Sequence, residues 1–158
     1  MKNKKSHDDD FYMAKAIKEA RKALLSNDVP IGAVIVSGDK IIGRGYNKVE
    51  RNSDATLHAE LIAIRNALKK IEYKHLLDMK IYVTLEPCAM CAGAIVLSRI
   101  KNVVIGTMDP KAGACGSVMN IVQNNDLNHV CDVKTNVMQA ECSQLLKEFF
   151  KKLRSEKN

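Results

Sequence analysis

Two short segments, each too small to fold alone, restrict the tertiary structure of this chain more than any other feature. His58 and Glu60 lie two positions apart, while Cys88 and Cys91 lie three apart and follow Pro87. Three residues apart on a helix, the two cysteines share a face and can bind one ion together. Pro87 suits the start of that helix, because its missing amide hydrogen costs nothing there. The fold must bring both segments to one place.

The spacing of His58 and Glu60 predicts that His58 lies at a helix end. In a regular helix, residues two apart point roughly 200° away from each other. The apolar run that starts at Leu61 predicts a helix, with Asp54 or Thr56 as its candidate cap. We therefore expect the backbone to become regular only after His58.

One histidine and two cysteines form the ligand set of a catalytic zinc site, which has three protein ligands and an open fourth position. Zinc lowers the pKa of a water in that position from about 15.7 to about 7. Glu60 is of the right type to carry protons between that water and a leaving group. The two segments thus predict a hydrolytic zinc site with His58, Cys88 and Cys91 as ligands and Glu60 as the catalytic carboxylate.

A closed structural zinc site is the alternative, and it needs a fourth protein ligand. Cys115, Cys131 and Cys142 are candidates, as is another histidine, but none belongs to a second paired motif. The odd total of five cysteines argues against a disulfide framework. We expect these three cysteines to be small apolar residues of the core.

Further motifs accompany the two segments in a fixed order along the chain. They are Val29-Pro30-Ile31-Gly32-Ala33-Val34, Gly45-Tyr46-Asn47, His58-Ala59-Glu60, the stretch from Val83 to Ala94, and the stretch from Asp109 to Ser117. The pattern H-x-E followed by P-C-x-x-C is the signature of the zinc-dependent nucleobase deaminases. With the other motifs, the chain resembles the bacterial tRNA-specific adenosine deaminases of the cytidine deaminase superfamily, from about residue 11 to about residue 153.

The resemblance implies a zinc-dependent hydrolase that converts adenosine to inosine at the wobble position, the first anticodon position, of a transfer RNA. It implies that His58, Cys88 and Cys91 hold one Zn²⁺ per subunit and that Glu60 shuttles protons. It also implies a homodimer, and an arginine tRNA is the expected RNA partner.

Three residues are assigned to substrate binding by the resemblance. Asn47 matches an asparagine that contacts the target base, and Asp109 lies in a loop that contacts the RNA backbone beside it. Phe149 matches an aromatic residue near the RNA, as single-stranded recognition requires. From the residues alone, the alternative for Asn47 is an ordinary turn residue after a strand, and the alternative for Asp109, which precedes a proline, is turn chemistry. Phe149 and its neighbour Phe150 could instead pack on the sheet and in a subunit contact, since adjacent residues on a helix cannot both face one core.

Helical and strand patterns alternate along the chain without repeats. This alternation indicates a three-layer α/β protein, and the resemblance adds an α/β/α cytidine-deaminase-like fold with a central mixed sheet of about five strands. We expect one deaminase domain over residues 11–153, between flexible tails at 1–10 and 154–158. Helices are predicted at 11–24, after His58, at 88–98 and at 138–153, and strands at 31–36, 40–45, 80–85, 102–106 and 130–134.

The 158 residues carry a net charge of +7, most of it from basic residues at the two ends. Basic ends add salt-dependent attraction to RNA phosphates, but charge by itself does not identify an RNA-binding protein. The sequence contains no apolar segment of membrane-spanning length, and the aspartates after its basic start lead us to expect no signal sequence. We expect a cytoplasmic protein with no membrane partner.

Two other functions compete with the RNA deaminase. A small-molecule deaminase of guanine, cytosine or a nucleotide would use the same zinc chemistry and would act without RNA. A zinc-stabilised RNA-binding module would bind RNA without Glu60 and would release no ammonia. A carboxylate beside an open ligand position argues against the binding module, because a structural site needs neither.

Overall fold

The computed structural model describes residues 7–158, and residues 1–6 lie outside it. The predicted alternation of helices and strands is confirmed, and sequence reasoning missed only the short helix α2 and a 3-10 turn at Leu24–Ser26. The elements are α1 (Asp9–Ala23), β1 (Gly32–Ser37), β2 (Lys40–Tyr46), α2 (Val49–Asn52), α3 (Ala59–Ile71), β3 (Lys80–Leu85), α4 (Ala89–Leu97), β4 (Asn102–Thr107), β5 (Asp132–Lys134) and α5 (Gln139–Glu156).

Both ends of the expected domain are helical. α1 begins two residues before the expected start at Phe11, because the Asp8 side chain accepts a hydrogen bond of 2.9 Å from the Phe11 N–H. At the other end, α5 continues through Arg154 to Glu156, into the expected C-terminal tail. Most of the expected N-terminal tail lies outside the described residues, so the domain boundaries stay a prediction.

The five strands form one mixed sheet in the order β2-β1-β3-β4-β5. β1 pairs antiparallel with both β2 and β3, whereas β4 pairs parallel with β3 and β5. The carboxyl ends of β2, β3 and β4 therefore meet at one edge of the sheet. The chain leaves that edge three times, at Asn47, at Glu86 and at Met108. The expected three-layer fold with a mixed sheet is confirmed.

A separate hydrophobic core covers each face of the sheet, because neighbouring strand residues point to opposite faces. On one face, Ile35 and Ile105 pack with α3 and α4. On the other face, Val34 and Val104 pack with α1 and α5. The three further cysteines are buried in these cores as expected: Cys115 and Cys131 in the first, and Cys142 in the second. Within residues 7–158, no helix has the length and apolar character needed to cross a membrane.

A glycine lets α3 approach β2 closely enough to place His58 at the sheet edge. A Cβ atom at Gly45 would overlap the backbone carbonyl of Ala59 and crowd the Ala63 nitrogen. Only a residue without a side chain fits beneath the first turn of α3. Gly45 therefore determines how closely the start of α3, which carries His58 and Glu60, approaches the sheet.

Candidate metal centre and adjoining groove

Three potential metal ligands converge at the starts of two helices. His58 is the N-cap of α3 and Cys88 is the N-cap of α4, while Cys91 lies in the first turn of α4. The His58 Nδ1 atom lies 3.5 Å from the Cys88 Sγ and 3.6 Å from the Cys91 Sγ. One atom from each residue lies within 4.8 Å of the other two. The structure therefore brings together the three ligands that the sequence predicted.

The spacing of these atoms fits a tetrahedral zinc ion. With bond lengths of about 2.3 Å to sulfur and about 2.0–2.1 Å to nitrogen, a tetrahedral angle places the two ligand atoms about 3.5–3.6 Å apart. Both N···S distances agree with that separation. Among residues 7–158, the group has no fourth member that is a histidine, a cysteine or an acidic residue. The geometry thus favours a site with an open position over the closed alternative.

The two cysteine thiols are electrostatically unlike. Hydrogen bonds from the Cys91 thiol and the His58 ring lower the pKa of Cys88 against the opposing effect of burial. The same bond to Cys88, together with burial, raises the pKa of Cys91. Metal binding must release the proton of any thiol that serves as a ligand, because only a thiolate binds the metal.

The backbone at His58 resolves the problem posed by its spacing from Glu60. His58 has extended dihedral angles, with φ −76° and ψ 152°, and the regular helix starts at the next residue. The prediction that Asp54 or Thr56 caps this helix is wrong, because His58 itself occupies the N-cap. The Asp54 Oδ1 atom instead accepts hydrogen bonds from the Thr56 N–H and hydroxyl in the preceding turn.

Glu60 lies in the first turn of α3, 4% exposed. Burial raises the pKa of Glu60 to about 7, because a carboxylate loses solvation when it leaves water. The Cys91 thiol is a hydrogen-bond partner of this carboxylate. Glu60 is thus held against the ligand group without being part of it, and it can exist in both protonation states near neutral pH.

Asn47 follows β2 at the same edge of the sheet and is buried. Its Nδ2 donates to the Val29 carbonyl at 3.2 Å, and its Oδ1 accepts from the Val49 N–H at 3.2 Å. These bonds fix the amide plane. A primary amide has two N–H donors and two acceptor positions, so one of each is left for a ligand.

A groove of about 570 Å³ opens beyond the ends of β3 and β4, between the following loop and α5. Asp109 lines it, and its Oδ1 accepts hydrogen bonds from the backbone of Lys111 and Ala112, which is the turn chemistry that the sequence offered as the alternative. The structure does not bring Phe149 to this groove. Phe150, 40% exposed, lines it instead, whereas Phe149 lines a smaller cavity on the other side of α5.

Sequence reasoning missed the basic side chains of this groove. Lys111 comes from the loop, and Lys147 and Arg154 come from α5. On α5 the groove residues recur three or four positions apart, at Ser143, Leu146, Lys147, Phe150 and Arg154, which is the spacing of one helix face. That periodicity was the signal available in the sequence, and it selects Phe150 over Phe149.

Comparison with known proteins agrees with the fold. The family of MafB19-like deaminases matches residues 7–154. The tRNA-specific adenosine deaminase of Bacillus subtilis (strain 168) is 46% identical over 149 residues, covering 94% of this chain and 92% of the relative. The tRNA-specific adenosine deaminase of Haemophilus influenzae is 46% identical over 154 residues, covering 97% and 89%. A solved structure from studies of A-to-I editing by tRNA:A34 deaminases at the wobble position matches with a TM-score of 0.82 at 38% identity, covering 86% of this chain and 99% of that one.

Proposed function

This chain belongs to the family of the tRNA-specific adenosine deaminases, and on that premise we propose that it hydrolyses adenosine to inosine at the wobble position of a transfer RNA. The placement of the buried Glu60 carboxylate beside a triad of metal ligands carries the proposal. Water supplies the oxygen and ammonia leaves, so the reaction needs a proton carrier at the attacked carbon.

Glu60 is that proton carrier. Its carboxylate accepts a proton from the attacking water and then donates it to the amine that leaves C6 of adenine. One group acts first as base and then as acid, so no second acid is required. The first turn of α3 holds Glu60 on a rigid element, and burial excludes competing solvent from its carboxylate.

His58, Cys88 and Cys91 would hold one Zn²⁺. When bound, zinc supplies a Lewis acid that lowers the pKa of a water molecule and makes it a nucleophile at neutral pH. The chain contributes three ligands from two rigid helix starts, and within its described part no fourth candidate ligand competes for the remaining position.

The groove supports an RNA substrate. Lys111, Lys147 and Arg154 supply positive charge for phosphates, and Phe150 supplies an aromatic face for a base. Asp109 contributes a carboxylate to the same wall. We propose that Asn47 uses its remaining donor and acceptor on the target base.

An anticodon loop suits this site because the target base must leave its stack to reach the ligand group. Unstacking costs least in a loop that is already single-stranded. An arginine tRNA with adenine at the first anticodon position is the substrate that we propose, and the cytoplasm, where transfer RNAs decode, is the proposed location.

The outer face of α4 supports a homodimer. This helix has no charged residue, although an apolar helix is normally buried on all sides. Met90, Gly93, Ala94 and Leu97 recur three or four positions apart, and Leu97 is 77% exposed. We propose that this stripe, the α4 stripe, contacts a second copy of the chain.

The test measures inosine formation in an arginine tRNA with adenine at the first anticodon position, beside free adenosine, cytidine and guanine. We expect conversion of the tRNA alone and its loss in Glu60→Ala. Turnover of a free base or nucleoside with untouched tRNA would assign the protein to the small-molecule deaminases. RNA binding without any ammonia release would instead identify the protein as a zinc-stabilised RNA-binding module.

A further inference from the structure

Glu86 is a buried carboxylate for which the proposed reaction has no use. It follows β3 directly, two positions before Cys88, and is 2% exposed. It is not part of the metal-ligand group. Its Oε2 accepts a hydrogen bond of 3.0 Å from the Asp109 N–H, and its Oε1 accepts one of 3.0 Å from the Ser117 N–H. One carboxylate therefore binds the backbone at both ends of the segment 109–117, which we call the Asp109 loop.

The loop closes around this carboxylate. The Gly113 N–H donates to the Asp109 carbonyl at 3.0 Å, which folds the chain back between the two bound amides. A Cβ atom at Gly113 would overlap Oε2 and Cδ of Glu86. Glycine is thus required here by space, since the Glu86 carboxylate occupies the place of the missing side chain.

Besides Glu86, the loop is supported by the burial of Ala114 and Cys115 and by further backbone hydrogen bonds. Apart from an isolated bridge between Cys115 and Asn120, it forms no regular strand or helix. A third tie joins the Ala114 N–H to the Pro87 carbonyl at 2.8 Å, next to the ligand Cys88. A carboxylate accepting two backbone N–H bonds is a strong and directional contact, so Glu86 fixes the loop relative to the start of α4.

The loop contributes side chains to the groove proposed for RNA. Asp109 and Lys111 both line the groove, and the Asp109 Oδ1 is itself held by the Lys111 and Ala112 amides. Any displacement of the Asp109 backbone therefore moves these groove side chains together. The metal ligands, in contrast, are carried by the starts of α3 and α4.

We propose that Glu86 is a positioning residue for substrate: its carboxylate, together with the space left by Gly113, holds the Asp109 loop in register with the metal centre. The inference rests on the proposed function for the identity of the substrate, but the positioning itself concerns the loop. Glu86 acts on RNA binding through Asp109 and Lys111, and it leaves the metal and the proton carrier in place.

Two substitutions release the loop by different routes. Glu86→Gln keeps the size of the side chain but replaces one acceptor oxygen with an N–H group, which faces a backbone N–H and cannot bond it. Gly113→Ala keeps the Glu86 carboxylate but adds a methyl group in the space that the carboxylate occupies. Glu19→Gln is the matched control, because Glu19 is also buried but lies on α1, where it pairs with Lys22 and Arg44.

The experiment uses the full metal-loaded chain and three readouts. Amide hydrogen exchange should show lost protection of the loop, at Asp109 and Ser117, in Glu86→Gln and Gly113→Ala but not in Glu19→Gln. KM for an anticodon stem-loop should rise about tenfold in the first two variants, as expected for one lost hydrogen bond to a charged group. We expect kcat and metal content to stay within about twofold of the wild type, which a general loss of structure would not allow.

Unchanged exchange in Glu86→Gln would overturn the proposal, as would a fall in kcat at constant KM. If Gly113→Ala does not fold, Glu86→Gln decides by itself. If the wild-type protein leaves the stem-loop unreacted, the proposed function fails, and amide exchange still decides whether Glu86 holds the loop.

Discussion

The Nδ1 atom of His58 lies 3.6 Å from the Sγ atom of Cys91. The two residues belong to the starts of α3 and α4, and strand β3 lies between these helices in the sequence. Both helices pack on the same face of that sheet. A metal held between them would join their starts, so it should stabilise the fold as well as serve the reaction.

Removal of the metal should therefore lower both activity and stability. We expect about one zinc per chain by elemental analysis, and a lower Tm after chelation. Cys91→Ser should lose the metal, whereas Cys131→Ser should retain it. Cys131 is the matched control because it is buried outside the ligand group and only donates to the Ile100 carbonyl, as serine also can. Equal metal content in both variants would contradict the assigned site.

Glu60→Gln should keep its metal but lose about 10²–10⁴-fold in kcat, because an amide cannot carry the proton. Activity is measured as inosine formed in a single turnover, and zinc is measured in the same preparation. Glu50→Gln, an exposed substitution on α2, is the control and should be as active as the wild type. A fully active, zinc-loaded Glu60→Gln protein would rule out the proposed role.

Phe150→Ala should raise KM for the stem-loop by about tenfold, because base stacking on an aromatic ring contributes about 1–3 kcal/mol. Phe149→Ala should leave KM nearly unchanged and lower the free energy of unfolding by about 2 kcal/mol, since its half-buried ring packs on the other side of α5. The two rings are adjacent, with centroids 5.3 Å apart, so each variant is a control for the other. A larger KM effect at Phe149 would restore the assignment made from the sequence.

Leu97→Glu should convert a dimer to a monomer, because a charge in the α4 stripe would be buried without a partner. Light scattering after size exclusion measures the change in mass. Leu25→Glu is the control: Leu25 is 90% exposed and lies on the 3-10 turn after α1, in the other layer. A wild-type protein that is monomeric at micromolar concentration would contradict the proposed contact.

Asp9 should contribute stability above its ordinary pKa. Partial burial raises the pKa of Asp9, but hydrogen bonds from Lys134 at 2.6 Å and Tyr82 at 2.7 Å outweigh it and hold the pKa below 3.8. This stability is present above pH 3.8 and is lost as the pH falls through the lowered value. Asp9→Asn should therefore cost about 1 kcal/mol at pH 7, and the deficit should shrink below pH 3.8.

Urea unfolding of the wild type and of Asp9→Asn, from pH 7 to below pH 3.8, measures the difference in their free energies of unfolding. Asp10→Asn is the control, because Asp10 is exposed in the same helical turn. A deficit for Asp9→Asn that grows as the pH falls would contradict the assignment.

Local pattern was enough to predict most of the fold. The strand Lys80–Leu85 was predicted to the residue, because its apolar run is bounded by turn residues and buried on both sides. α2 was missed because its four residues carry no apolar periodicity; the Asp28 carboxylate, distant in sequence, holds it through the amides of Glu50 and Arg51. No local signal reports a contact of that kind.

The sequence by itself determined which residues were candidates for the proposed chemistry: His58, Glu60, Cys88 and Cys91 are recognisable because ligand type and spacing are local properties. Tertiary structure decided what surrounds that chemistry. It placed Phe150 rather than Phe149 in the groove, and it filled the space at Gly113 with the carboxylate of Glu86. These relations join residues from different strands and helices, and only the packing of the layers fixes which side chains meet.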